Sequence, residues 1–218
     1  MLRKATIGIL IFSALFASHA RSEESRAKKF EAGFVSIFNG NDLSGWHMMG
    51  PQTWSAKDGI MSCSGGGHGW IRTDAQYEDF VVRLEYKFGA GGNSGVFLRS
   101  AKDGDPSYTG MQIQTYDDFG KAPAVIGSGA LVDAVPPRVV ASKPADEWNQ
   151  MQIACIGSMV TVWLNGVRVL RVDLNDPVLN AGLKANAKLN NRNKIGYIGL
   201  QNHNMPVYYR NISIRKVE

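Results

Sequence analysis

The sequence predicts an all-β protein, a sandwich of two antiparallel sheets, and three observations support this. Short runs alternate between apolar and polar residues, which is typical of strands with one buried face. The 218 residues include 24 glycines and 10% aromatic residues, a mixture that favours short strands joined by turns. No long segment has a helical period. The 44% apolar and 20% charged residues exclude a disordered chain and a multi-span membrane protein.

The alternation defines the inner face of individual strands. In DFVVRLEYKF it places four residues on one face: Phe80, Val82, Leu84 and Tyr86. SGVFLRS and GMQIQTYD alternate in the same way. Asn165-Gly166 stands between two such runs and predicts a two-residue hairpin turn. About a dozen strands at this spacing are expected of one sandwich, interrupted by two long loops at 117–147 and 173–194.

The N-terminus predicts export. Residues 1–20 have a cationic start at Arg3 and Lys4, an apolar run and small residues before a cleavage point after Ala20. The apolar run is shorter than the ~20 residues of a membrane-spanning helix. We expect a signal peptide over 1–20, a linker over 21–33 and one domain over 34–218. The mature protein is then periplasmic or secreted, with no membrane insertion after cleavage.

Charge and cysteine content restrict the partners. The net charge is +5, and loss of Arg3 and Lys4 leaves 22 basic against 19 acidic residues, or +3. Without a basic stripe, this predicts no nucleic-acid binding. Cys63 and Cys155 lie in apolar runs and form either a disulfide or two buried thiols. No zinc spacing and no calcium loop occurs, so no cofactor or metal site is predicted, while a divalent metal stays an open alternative.

Several strands carry planar polar groups on the face opposite their apolar residues. A solvated face is one explanation, but Gln, Arg, Tyr and His suit the hydroxyls of a sugar better. The candidates on this face are Arg83, Glu85, Arg99, Gln112, Gln114, Tyr116, Gln201 and His203. Two further candidates are Asn93 in GGNSG and Trp70, which follows the run Gly65–Gly69. The glycine run itself predicts a turn or wide hairpin, because no helix follows to make a phosphate loop.

Six blocks in one order carry a family resemblance: FVSIFNGNDLSGW, WSAKDGIMSCSGGGHGWIRTDAQYEDFVVRLEYKF, GGNSGVFLRS, GMQIQTYD, EWNQMQIACIGSMVTVWLNGV and IGYIGLQNHNMPVYYRNISIRKV. Over residues 34–217 the chain resembles the 3-keto-disaccharide hydrolase family. The resemblance implies a concanavalin A-like jelly-roll sandwich and cleavage of glycosides that carry a ketone at sugar C3. Many members have an acidic residue where this chain has Gln112, which cannot act as a base.

The implied chemistry needs a base, an acid and a group that stabilises an enolate. We assign Glu85 or His203 as base and acid, and Arg99 to the enolate. The remaining candidates bind the carbohydrate substrate: Arg83, Asn93, Gln112, Gln114, Tyr116, Gln201 and Trp70. A lectin-like binding module is the alternative function, and a protein-binding surface domain is a third.

The candidates come from separate parts of the chain, which the connections of a jelly roll can bring into one sheet. We therefore expect Glu85 and His203 on the same outer sheet face, close enough to contact one sugar ring, with Trp70 and the two long loops at the rim.

Overall fold

The computed structural model describes residues 32–50 and 54–217, which contain thirteen strands, two short α-helices and two 3₁₀ turns at Ala185–Ala187 and Leu189–Asn191. The strands are β1 (Val35–Ser36), β2 (Trp46–Met49), β3 (Trp54–Lys57), β4 (Ile60–Cys63), β5 (His68–Tyr77), β6 (Phe80–Lys87), β7 (Asn93–Ser100), β8 (Met111–Tyr116), β9 (Asn149–Ile156), β10 (Met159–Leu164), β11 (Val167–Asp173), β12 (Gly196–His203) and β13 (Val207–Lys216). The helices are α1 (Pro106–Thr109) and α2 (Pro177–Gly182).

The strands form two antiparallel sheets. The larger sheet has eight strands in the order β11-β10-β9-β6-β13-β4-β3, with β1 paired to β13. The smaller sheet has five strands in the order β2-β5-β12-β7-β8. Strands distant in sequence are thus neighbours in space, and the predicted all-β sandwich is confirmed.

Alternation builds the core as the sequence predicts. Phe80, Val82 and Tyr86 of β6 are fully buried. They belong to the same apolar cluster as Val96 of β7 and Ile113 of β8, which come from the other sheet. Each strand buries one face because successive side chains point to opposite sides of its sheet.

The turn predicted at Asn165-Gly166 joins β10 to β11. Both residues have left-handed backbone, with φ of 50° and 82°, as a tight two-residue hairpin requires. The two long loops are also present. Asp118 is buried in the first of them and accepts hydrogen bonds from Ser128 N and Ser142 Oγ, both at 2.6 Å. This anchors residues 128–132 beside β8.

The alternation breaks near the end of β7. Arg99 has a left-handed φ of 52°, and the register between β7 and β12 shifts there. The Arg99 side chain is only 2% exposed. Its guanidinium donates to Glu78 O at 2.7 Å, Gly157 O at 2.9 Å and Asp79 Oδ1 at 2.8 Å. Arg99 therefore ties the turn between β5 and β6 and the turn between β9 and β10 to the end of β7.

Both cysteines are free and buried, on β4 and β9, so the alternative of two buried thiols holds. Burial raises the pKa of Cys155 to about 12. The predicted signal peptide at 1–20 and all but the last two residues of the predicted linker lie outside the described residues. The sandwich unit begins at Val35. In the described part of the chain, no helix has the length and apolarity needed to cross a membrane.

Arg99→Met should destabilise the fold, because it leaves buried carbonyl groups and Asp79 without their donor. We expect the free energy of unfolding to fall by about 3 kcal/mol in urea denaturation. Arg168→Met, at an exposed position of β11, is the matched control and should change it by less than about 0.5 kcal/mol. Equal effects of the two substitutions would contradict this role for Arg99.

Candidate functional site on the five-stranded sheet

The outer face of the five-stranded sheet carries three rows of side chains, because paired residues of adjacent strands lie side by side. The first, called the open row, is His68, His203, Asn93 and Tyr116. The middle row is Trp70, Gln201, Gly95 and Gln114. The inner row is Arg72, Gly199, Phe97 and Gln112. Each row crosses β5, β12, β7 and β8 in that order.

The open row is the most accessible row of this face. His68 is exposed and the other three members are half-buried. The rings of His68 and His203 meet edge to face, with centroids 4.7 Å apart and an interplanar angle of 79°. Asn93 Nδ2 lies 3.3 Å from His203 Nδ1. Two imidazoles and an amide therefore stand together where a ligand can reach them.

The glutamines of the other rows are tied to each other. Gln112 Nε2 donates to Gln114 Oε1 at 2.8 Å and to Gln201 Oε1 at 3.0 Å. Gln114 Nε2 then donates to Asn93 Oδ1 at 3.2 Å. Gln112 and Gln114 are each 5% exposed, so their amides are largely used inside the protein.

Two glycines make room for these side chains. A Cβ on Gly95 would lie 2.5 Å from Gln112 Nε2, and one on Gly199 would lie 2.2 Å from Trp70 Cε3. Gln112 can therefore cross β7 to reach Gln201, and the Trp70 indole can lie across β12. There the indole contacts the Phe97 ring edge to face, with centroids 5.4 Å apart.

Seven sequence-predicted site residues lie on this one face, namely Trp70, Asn93, Gln112, Gln114, Tyr116, Gln201 and His203. Trp70 does not stand at a rim, as we expected from its place after the glycine run. Trp70 is 5% exposed and packs within the face, because Gly199 has no side chain and leaves space for the indole.

The prediction that Glu85 shares a face with His203 was wrong, and the same holds for Arg83. Both lie on β6 of the larger sheet, where β6 pairs with β9 and β13. Arg83 Nε donates to Gln152 Oε1 at 2.7 Å. Alternation orients a side chain relative to its own sheet, but each sheet of a sandwich has an inner and an outer face. It therefore could not assign β6 to one sheet.

Glu85 is held by structural partners. Its carboxylate accepts from Arg210 Nε at 2.8 Å and from Asn211 Nδ2 at 2.9 Å. Burial by itself raises the pKa of Glu85, but the hydrogen bonds from Asn211 and Arg210 outweigh burial and hold the pKa below its usual value. Glu85 is thus an ion-pair partner within the larger sheet.

Arg99 is also not part of the three rows. Although β7 carries it, the break in alternation places its guanidinium in the buried cluster with Asp79 described above. There it lines a separate polar cavity of about 200 Å³ together with Glu78 and Arg192. The assignment of Arg99 to the same face as His203 was wrong for this reason.

His68 is the site residue that the sequence reasoning missed. The run Gly65–Gly69 was interpreted as a turn, but β5 already begins at His68, which pairs directly with His203. The signal was available, since His68, Trp70 and Arg72 are spaced by two and share one strand face. Within residues 32–50 and 54–217, no group of three His, Cys, Asp or Glu residues forms a candidate metal site.

Gly199→Ala should disturb the packing of Trp70 against β12, because the new methyl group would overlap the indole. We expect a loss of about 1–3 kcal/mol in unfolding free energy and a shift of the tryptophan emission. Gly182→Ala, at the end of α2 with no atom within 4 Å of the added Cβ, is the control and should be nearly neutral. A neutral Gly199→Ala would mean that the indole does not depend on this space.

Glu85→Gln tests the structural role of Glu85 through pH. The folded pKa is lowered, so the carboxylate stabilises the fold above the unfolded pKa of about 4.3, and this stabilisation disappears as pH falls through the folded pKa. The advantage of the unsubstituted protein over Glu85→Gln should therefore shrink as pH falls below about 5 in urea denaturation. An advantage that grows on acidification would contradict the lowered pKa.

Known proteins are similar to this chain in sequence and in fold. A 3-keto-disaccharide hydrolase of Bacteroides thetaiotaomicron is 28% identical over 229 residues, covering 85% of this chain and 79% of the relative. A crystal structure of a candidate glycosyl hydrolase from Parabacteroides distasonis is 26% identical with a TM-score of 0.75, covering 90% of this chain and 97% of that one.

A more distant structure shares the fold alone. A family 66 carbohydrate-binding module from Bacillus subtilis is 13% identical with a TM-score of 0.57, covering 81% of this chain and 98% of the module. This agrees with a concanavalin A-like jelly-roll sandwich. Residues 33–215, nearly the whole described sandwich, match the family model of the 3-keto-alpha-glucoside-1,2-lyase-like domain. The chain therefore belongs to the family of 3-keto-alpha-glucoside-1,2-lyase-like domains.

Proposed function

We propose that this protein is an enzyme that cleaves 3-keto-glycosides by elimination and hydration, with His68 and His203 as its catalytic residues. The observation that carries the proposal is the contact between the two imidazoles on the accessible open row, 4.7 Å between centroids. Imidazole is the side chain best suited to move protons near neutral pH. Family membership and the named activity of the Bacteroides relative support the substrate class.

A ketone at C3 makes this chemistry accessible to such a site. It acidifies the C2–H bond, so a base can remove the C2 proton and leave an enolate on C2, C3 and the ketone oxygen. The enolate then re-forms the C3 carbonyl, a double bond forms between C1 and C2, and the bond from C1 to the glycosidic oxygen breaks. The leaving oxygen takes a proton, and water adds to C1 while C2 regains a proton.

The open row and the neighbouring Gln201 of the middle row offer groups for each requirement. One imidazole takes the C2 proton while the other contacts the oxygen that becomes negative. Gln201 Oε1 already accepts from Gln112, so Gln201 offers a ligand its NH₂ group. Tyr116 closes the row at the edge of the sheet and suits contact with sugar hydroxyls.

An ordinary glycosidase mechanism fits this face less well. That mechanism uses two carboxyl groups that flank the scissile bond. The three rows contain no Asp or Glu among their described residues, and Glu85 lies on the other sheet. The site therefore favours a substrate whose own ketone supplies the activation. We further propose that the protein reaches such substrates after export, with cleavage following Ala20.

The test is release of p-nitrophenol from its 3-keto-glucoside and from the unoxidised glucoside. We expect release from the keto compound alone, and His68→Ala and His203→Ala should each lower kcat by at least ~10²-fold. His47→Ala is the matched control and should retain full turnover. His47 is an exposed histidine on the edge strand β2, where it pairs with Arg72, two rows away from His68 and His203.

Two results would overturn the proposal. Near-normal turnover in both His68→Ala and His203→Ala, with folding checked by circular dichroism, would remove the catalytic assignment. Binding of the keto-glucoside without release by the unsubstituted protein would instead support a lectin-like module.

A further inference from the structure

We infer that a hydrogen-bonded chain of amides fixes which nitrogen of His203 carries the proton, and so gives the two histidines different roles. The chain consists of Ser107, Gln112, Gln114 and Asn93 and ends on His203. These four are positioning residues, since they act through the imidazole. The division of roles rests on the proposed function, whereas the location of the proton does not.

The chain starts at a hydroxyl group. Ser107 of α1 donates its Oγ–H to Gln112 Oε1 at 2.9 Å. Asp105 accepts from Ser107 N at 2.8 Å and caps α1, which holds the serine in place. Because the Gln112 oxygen faces Ser107, the Gln112 NH₂ group faces Gln114 and Gln201.

Each further link then donates in the same direction. Both hydrogens of Gln112 Nε2 are used, one on Gln114 Oε1 and one on Gln201 Oε1. With its oxygen occupied, Gln114 donates from Nε2 to Asn93 Oδ1. An amide that accepts at its oxygen can only offer N–H at its other end.

At the end of the chain, Asn93 is the donor and His203 is the acceptor. Asn93 Oδ1 is occupied by Gln114, so Asn93 Nδ2 faces His203 Nδ1 at 3.3 Å. An NH₂ group cannot accept a hydrogen bond here, so Nδ1 must be the acceptor. A neutral imidazole carries one proton, which must then lie on Nε2.

The chain switches only as a whole. If one amide turned around, oxygen would face oxygen or N–H would face N–H at the next link, unless every amide turned. In the reversed chain the Gln112 NH₂ group would donate to the Ser107 hydroxyl oxygen. The Ser107 hydroxyl hydrogen would then no longer have the Gln112 oxygen as its acceptor. The hydroxyl at the far end therefore favours the direction that puts the His203 proton on Nε2.

The two histidines then have distinct tasks. His203 Nε2–H donates a hydrogen bond to the C3 oxygen and stabilises the enolate without giving up its proton, as a neutral imidazole can. His68 takes the C2 proton. His68 then returns this proton to the glycosidic oxygen as the C1–O bond breaks. Both imidazoles are therefore neutral again after the elimination, with no proton gained or lost.

The chain predicts that a remote substitution moves the His203 proton. In Gln114→Glu, the carboxylate accepts from Gln112 and also requires a donor from Asn93, so Asn93 turns its oxygen toward His203. Long-range ¹⁵N–¹H spectra at about pH 8.5, about two pH units above the reference pKa of imidazole, distinguish the two tautomers. We expect Nε2–H in the unsubstituted protein and Nδ1–H in Gln114→Glu. Gln76→Glu, exposed on β5, is the matched control and should keep Nε2–H.

Asn93→Asp is a second variant that keeps the test decisive if Gln114→Glu does not fold. Its carboxylate faces Nδ1 directly and should also give Nδ1–H. With the keto-glucoside, kcat should fall at least ~10-fold while KM stays within about 3-fold, since the enolate loses its donor. Nδ1–H in the unsubstituted protein, or Nε2–H retained in Asn93→Asp, would overturn the inference. Absence of turnover in the unsubstituted protein would instead count against the proposed function, with the tautomer still measured.

Discussion

The absence of side chains at Gly95 and Gly199 is the constraint on which the outer face of the five-stranded sheet depends. A methyl group at either position would overlap Gln112 or Trp70. With that space open, Gln112 crosses β7 and hydrogen-bonds across the sheet, and Trp70 lies flat against β12. The two rows behind the open row are therefore largely filled by buried side chains that contact one another. The open row and the half-buried Gln201 beside it stay accessible to a ligand. Accessibility and rigidity of the site arise from the same two positions.

The two sheets have different tasks in this account. The eight-stranded sheet uses the charge of Glu85 for stability, since Glu85 pairs with Arg210. Arg99, at the end of β7, pairs in a similar way with Asp79 in the turn between β5 and β6. The five-stranded sheet places neutral amides and imidazoles together. Neutral groups can be buried when hydrogen-bonded, whereas a buried charge requires a partner. A site made of amides can thus hold its histidines in fixed positions. Such a site suits a substrate that supplies its own activating ketone.

Much of the fold could be predicted from local pattern, and the failures have definite physical causes. Alternation correctly gave the inner faces of β6, β7 and β8 because each strand buries one side, and the Asn165-Gly166 turn required only local backbone geometry. The sheet to which β6 belongs depends on pairing with β9 and β13, which no alternation encodes. Arg99 was misplaced because a left-handed residue interrupts β7. His68 was missed because a strand that starts within a glycine run resembles a turn.

Deuterium incorporation tests the central claim, elimination and hydration on the open row, most directly. The protein is incubated with a 3-keto-glucoside in D₂O, and the released 3-keto sugar is examined early by NMR beside a sample of the free sugar without protein. The account predicts one deuterium at C2 of the sugar at the rate of aglycone release, because C2 loses its proton and regains one from solvent. Release of a sugar that keeps its original C2 hydrogen would mean direct displacement at C1 and would contradict the account.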